Sequence, residues 1–286
     1  MSIGLDSQVR RAQRALAARP GLLVLSALLP IFAGLLALPL IACPGYSSLV
    51  AGVAPRISIV FALFGIFSWL CTAVGLGICV AWWSEAVRAA ITGAPGGLAA
   101  SLGDGLSRVG RYVMVTAAML LCLFLLTALP WLGMSAAGRA TVESASPLAL
   151  PATLSLPLFT VWGLALVAFI WLTSAWPMAA ALGGAAWLRP LGHSQAMVRR
   201  HWPTFLGIAG AWALATAGLV AVALAFHIPA AIGGLASGSP YTSTAGHVTA
   251  GLALLTLWLA SAYVNALASV TGFVAYADGL GIPTHG

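Results

Sequence analysis

Six long apolar runs dominate this sequence, at about residues 21–42, 57–83, 112–134, 155–180, 204–226 and 249–277. Each is long enough to cross a bilayer as an α-helix, which takes roughly 20 mostly apolar residues. A transmembrane β-barrel would instead need repeated alternating strands of about ten residues, and the sequence holds none. A water-soluble fold is excluded by composition: 6% of residues are charged and 61% hydrophobic, whereas soluble domains carry about 25% charged residues. The expected architecture is therefore all-α and integral to the membrane. It has a basic amphipathic segment over residues 1–20, a six-helix transmembrane bundle over 21–280 and a short tail over 281–286. Plentiful glycine, alanine and serine within the runs suit close helix contact in lipid. Pro30, Pro39 and Pro177 fall inside runs and are expected to kink them.

The charged residues orient this bundle. The formal net charge is +7, and all twelve basic residues are arginine. A basic balance can signal nucleic acid, but here the arginines sit in short segments between apolar runs, so no nucleic-acid partner is expected. Arg10, Arg11, Arg14 and Arg19 precede the first run. Arg88, Arg108 and Arg111 lie between the second and third, and Arg189, Arg199 and Arg200 between the fourth and fifth. Only Arg56 and Arg139 fall on the opposite side. The positive-inside rule then places both termini in the cytoplasm. A competing reading concerns "LIAC", which resembles a lipoprotein cleavage box ending at Cys43. Cleavage there would leave five spans, but the apolar stretch is longer than the usual 7–15 residues of a signal peptide.

The basic segments share a form. Leu5, Val9, Ala12 and Leu16 line one face of a helical wheel, with Arg10, Arg11 and Arg14 opposite. "LGDGLSRVGRY" aligns with "LGHSQAMVRRH" at an offset of 89 residues. In the first, Leu102, Leu106 and Val109 form a stripe opposite Asp104, Arg108 and Arg111. In the second, Leu191, Val198 and Trp202 lie opposite His193 and Arg200. Each segment precedes two apolar runs. The chain thus reads as three units, each a basic interfacial helix followed by a transmembrane hairpin. Arg10, Arg11, Arg14, Arg108, Arg111, Arg199 and Arg200 become candidate ligands of anionic lipid headgroups, with Leu191, Val198 and Trp202 entering the acyl boundary.

Four stretches in order, "RALAARPGLLVLSALLP", "SLGDGLSRVGRYV", "RPLGHSQAMVRRHWPTFLG" and "VAYADGL", resemble uncharacterised bacterial six-helix membrane-domain families. These include the membrane domain found beside glycerophosphodiester phosphodiesterases. In those families a basic segment precedes the fifth span and a Tyr-x-Asp-Leu-type segment ends the sixth. Residues 194–202 and 276–280 occupy those places here. The sequence departs from the pattern after the fourth span, where "AAWLRP" replaces an acidic residue, and in lacking a basic tail. The resemblance implies a fold and a location in a bacterial inner membrane, but no activity and no catalytic residue.

Motifs of common enzymes are missing: there is no H-E-x-x-H, G-x-S-x-G, P-loop or Gly-rich dinucleotide turn. Cys71, Cys79 and Cys122 fall in apolar runs, and no C-x-x-C occurs. Glu85 stands three residues before Arg88, a spacing that predicts a helix-surface pair; a cavity-facing Glu85 is the alternative. In the sixth run Ser261, Tyr263 and Asn265 are the polar residues, with Asn265 expected to hydrogen-bond between helices. Together with Glu85 they form the candidate intramembrane polar site. The histidines sit at run edges, so solvated interfacial roles are expected, His227 with His247 being the pair that could ligate a metal. Most tryptophans fall near run ends, as belt anchors do. No metal or cofactor is expected. The expected function is a non-enzymatic scaffold, assembly or regulatory protein of the inner membrane. Its partners would be lipids with anionic headgroups, and another membrane protein or a second copy. A carrier of a small molecule or lipid is the alternative, with a membrane-embedded lipid enzyme third.

Overall fold

A computed structural model describes residues 4–41, 59–142, 152–183, 188–237 and 244–284. Among them the chain is helical with no strand. The helices are α1 (Leu5–Ala18), α2 (Gly21–Ile41), α3 (Ile59–Ile91), α4 (Leu98–Ser107), α5 (Val109–Val142), α6 (Ala152–Thr173), α7 (Trp176–Leu182), α8 (Arg189–Arg200), α9 (Trp202–Ser237) and α10 (Thr244–Leu280). Five stretches are long and apolar enough to cross a membrane: Gly65–Ile91, Val109–Leu126, Thr160–Leu182, Trp202–Ala223 and Leu254–Leu280. A sixth is added if α1 and α2, bent by 92° at their junction, count as one span. Cys43, Arg56, Glu143 and His285 lie outside the described residues, as do the side chains of Arg139, His227 and His247.

The chain divides into two compact units. The first comprises residues 1–31, 85–102 and 200–286. Its centre is the pairing of α9 with α10, and α1 packs along α10 and touches α9. On α10 the residues Ala262, Ala266, Val270, Phe273 and Ala277 are buried; their spacing of three and four is that of one helical face. Ser26 of α2 donates to the Ala262 carbonyl at 2.9 Å. The chain turns from α1 into α2 at Arg19–Pro20. The Arg19 N–H closes α1 on the Ala15 and Leu16 carbonyls, and proline disfavours helix in the residue before it. Gly21 allows the start of α2 to approach α4, since a Cβ there would lie 2.9 Å from Leu98 Cδ1. By contrast, only 6% of the span Trp202–Ala223 is buried.

The second unit comprises residues 32–84 and 103–199. A core of Ala81, Tyr112, Val115, Trp176 and Ala180 joins α3, α5 and α7, with Leu191 of α8 packed against it. The Tyr112 and Trp176 rings meet at 6.1 Å between centroids and 55° between planes, within the range of favourable aromatic pairs. Two glycines bring backbones together. A Cβ on Gly77 would lie 2.8 Å from Val113 Cα, and one on Gly105 would lie 3.2 Å from the Ala81 carbonyl carbon. Trp162 of α6 donates to the Leu126 carbonyl of α5 at 2.7 Å.

Several helix limits differ from the hydropathy limits. The second apolar run ends near residue 83, but α3 continues to Ile91. Residues 84–90, "SEAVRAA", contain no helix breaker. The stop comes at Gly93, whose φ of +66° lets the Ala94 N–H reach the Ala89 carbonyl at 3.0 Å, a glycine cap. Of the prolines expected to kink, Pro177 lies in the first turn of α7, just after a break between α6 and α7. Pro30 and Pro39 stay within a continuous α2.

Candidate functional site

The polar chemistry concentrates where the short basic helices meet the ends of long ones. In the first unit, Arg11 of α1 grips the carboxylate of Asp278, near the end of α10. Its Nη1 donates to Oδ1 at 2.9 Å and its Nη2 to Oδ2 at 2.5 Å. This two-pronged geometry is the strongest form of an arginine–carboxylate bond. Gln8 Nε2 adds a third donor to Oδ2 at 3.2 Å. Arg11 Nη1 also donates to Thr284 Oγ1 at 2.7 Å. Thr284 reaches this point because α10 ends in a glycine cap. Gly281 has φ +70°, and the Ile282 and Gly281 N–H groups bond back to the Ala277 and Asp278 carbonyls at 2.9 and 3.1 Å. The side chains of Arg11 and Asp278 are 22% and 13% exposed, so the pair is largely withdrawn from water.

Other arginines in this unit are also engaged. Arg10 pairs with Asp6 at 2.5 Å on the exposed face of α1. The Arg19 guanidinium donates to the Ala94 carbonyl, and Arg14 and Arg200 are exposed. Glu85 accepts from Arg88 Nε at 2.5 Å. The spacing of this pair was legible, but its setting was not. The Glu85 side chain is 0% exposed, because α3 continues past the apolar run and carries it into the packed interior. It is no helix-surface pair.

Asn265 bonds as its position predicts. Its Oδ1 accepts from Trp212 Nε1 of α9 at 2.7 Å, and its Nδ2 donates to Ser261 Oγ at 3.4 Å. Tyr263 is exposed, on another side of the same helix. Asn265 is exposed as well, so this group ties two helices at the rim of their contact. Glu85 has its bond to Arg88, and Ser261 and Asn265 have theirs.

In the second unit the break between α6 and α7 frees backbone carbonyls, and side chains meet them. Ser194 of α8 donates to the Leu172 carbonyl at 3.0 Å. Arg111 donates to the Ala180 carbonyl near the C-terminus of α7 at 2.8 Å, where a cation also complements the helix dipole. Val198 is 0% exposed, and Pro190, Ser194 and Met197 are buried with it. This corrects the lipid-facing assignment of Leu191 and Val198. The apolar stripe of α8 packs on protein, and of the three residues only Trp202, 56% exposed, faces outward. The wheel of α4 is corrected too: Leu106 is exposed, while Ser101 and Gly105 are buried, because the close approach of backbones at Gly105 selects small residues. Arg108 and Arg111 are half-buried and Arg199 is exposed.

Among the described residues, no group of three or more His, Cys, Asp or Glu is placed to hold a metal ion. His193 is exposed, and His201 has a buried Nε2 with no hydrogen-bond partner among the described residues. Sequence reasoning gave Gln8, Asp278 and Thr284 no role. One signal for Asp278 was present: a carboxylate in the last turn of a helix opposes the dipole, so it calls for a nearby cation. Comparison with protein-family models, curated proteins and solved structures finds no match, so the six-helix family resemblance rests on its four stretches alone.

Proposed function

We propose that this chain is a non-enzymatic multi-pass protein of the bacterial inner membrane that scaffolds, assembles or regulates membrane partners. Its six spans are three units of basic helix and transmembrane hairpin, both termini are cytoplasmic, and anionic headgroups gather at its arginines. The observation that carries this reading is the division of labour on α1 and α8. Each buries its apolar face on the protein, while Arg10 and Arg14 on α1, and Arg199 and Arg200 on α8, are exposed. Helices anchored in this way hold guanidinium groups outward at fixed positions, which suits phosphate recognition. With α6 and α7 counted as the single span Thr160–Leu182, the order short, long, long recurs three times along the chain and supports the three units. The polar groups within spans bond helix to helix, as at Ser26, Trp162 and Trp212, which suits a packed bundle.

The test replaces Arg199 and Arg200 by Gln. Each arginine near an anionic surface contributes about 1 kcal/mol, so the double variant should lose about 2 kcal/mol, roughly thirtyfold in affinity for anionic lipid. Native mass spectrometry in matched mixed lipid would read weaker retention with a shallower salt dependence. Identical retention at every salt concentration removes headgroup anchoring. Loss of a co-purifying protein with lipid retention intact supports the scaffold and makes this surface its docking site.

A carrier is the second reading. It is favoured by the fully buried Glu85 and by the discontinuous helix at residues 174–175, features that line sites in transporters.

A further inference from the structure

We propose that α1 is a releasable strap, held shut on α10 by the clasp between Arg11 and Asp278. Three observations lead there. First, α1 has little apolar material holding it down. Its buried residues are Gln8, Ala12, Ala15 and Leu16, two of them alanine, with Leu5 resting beside Gly207, where a Cβ would lie 3.2 Å from Leu5 Cδ2. The polar clasp therefore makes up a large share of what binds α1 to α10. Second, the clasp joins parts far apart in the chain: Arg11 and Gln8 of α1, Asp278 of α10 and Thr284 of the tail. Breaking it leaves the bonds among the spans in place. Third, the pivot is secured separately. The 92° corner between α1 and α2 is held by the bond from Arg19 to the Ala94 carbonyl, at the opposite end of α1 from Gln8.

The stripe that faces α10 has a second place to go. Freed from α10, a basic amphipathic helix with Leu5, Val9, Ala12 and Leu16 on one face and Arg10, Arg11 and Arg14 on the other lies in a membrane interface, the more so where lipids are anionic. The strap thus has two docked states, one on its own protein and one on the bilayer surface, and the clasp biases the choice between them. Opening would bare the clasp end of α10, with the Asp278 carboxylate uncovered.

The experiment is limited trypsin digestion of the full chain in lipid nanodiscs, following cleavage of the Arg14–Ala15 bond. Cleavage of the Arg111–Tyr112 bond in the same digest reports loss of the fold, since Tyr112 is fully buried and Arg111 is bonded to the Ala180 carbonyl. Compared with the wild type are Asp278→Asn, Arg11→Gln and the double charge swap Arg11→Asp with Asp278→Arg. In neutral phosphatidylcholine discs, each single variant should be cut at Arg14 tenfold faster or more, since a charged hydrogen bond contributes about 1.5–3 kcal/mol and 1.4 kcal/mol is tenfold. The charge swap should return cleavage toward the wild-type rate. In discs containing anionic phosphatidylglycerol, cleavage of the single variants should fall, because the bilayer recaptures the strap. Wild-type rates in both single variants would overturn the clasp. Equal acceleration at Arg111 would show unfolding in place of strap release. Rates independent of lipid charge would overturn the membrane-docked state.

Discussion

Replacing Gly77 by Ala tests whether the crossing of α3 and α5 is set by backbone contact. An added Cβ would lie 2.7 Å from Val113 Cγ2 and 2.8 Å from Val113 Cα. The first contact can be relieved by a rotamer change, but the second cannot, because Cα moves only with its helix. Restoring an ordinary carbon–carbon separation of about 3.5–4.0 Å requires the helices to part by roughly 1 Å, which disturbs the Ala81–Tyr112 core one turn away. Overpacking of this kind costs typically 1–3 kcal/mol. Alanine also gains about 1 kcal/mol over glycine in helix propensity, so the single measurement mixes two effects. Gly210→Ala separates them: nothing lies within 4 Å of a Cβ at that site, so it carries the propensity gain alone. The difference between the two variants should therefore equal the clash, about 1–3 kcal/mol. Reversible unfolding in mixed micelles with added denaturing detergent, followed by tryptophan emission, gives both values. If Gly77→Ala proves as stable as Gly210→Ala, the reasoning from backbone contact is wrong.

Ser194→Ala should destabilise the protein by about 1–3 kcal/mol, because the Leu172 carbonyl loses its hydroxyl donor in a buried setting; the same unfolding assay measures it, and an unchanged midpoint would show the carbonyl is satisfied without Ser194. Cysteines introduced at Ala145 and Pro240 should react with a membrane-impermeant thiol reagent added from the periplasmic side, and labelling only from the cytoplasm would reverse the proposed topology.

The long helices were legible because hydropathy records where a chain passes through lipid. Their ends were not, because helices stop where backbone geometry stops them. At Gly93 and Gly281 a positive φ does so, beyond the limits that apolarity draws. The bend between α1 and α2 was foreshadowed by a basic amphipathic stretch running into Arg19–Pro20. The buried faces of α1 and α8 expose a limit of helical wheels. A stripe such as Leu191 with Val198 reveals that one side seeks an apolar phase, yet protein interior and lipid are equally apolar to it. Arg11 illustrates the same limit for charge: its place among inner-side arginines suggested lipid phosphate, and it is spent on Asp278. The Glu85–Arg88 pair needed only local spacing and was readable. Its burial depended on packing from distant parts of the chain and was not.

The lengths of α3, α5, α9 and α10, at 33, 34, 36 and 37 residues, carry a consequence for the bilayer. At 1.5 Å per residue each rod is about 50–55 Å long, against a hydrocarbon core of about 30 Å. A steep tilt of 40° brings only about 39 Å of each rod into that core, so roughly 10–16 Å, about seven to eleven residues, still lies beyond the oily layer. The sequence accommodates that overhang. Apart from Arg139, "SAAGRATV" at the end of α5, "PAAIGGLAS" at the end of α9 and "TAGHVTAG" at the start of α10 are mostly small residues of intermediate polarity, tolerable to headgroups and to hydrocarbon. Where tilt is limited, the membrane can thicken or thin against such rods at a cost of only fractions of a kcal/mol per Å. Rods of this kind can sit in membranes of differing thickness by sliding the boundary along turns that neither phase strongly prefers.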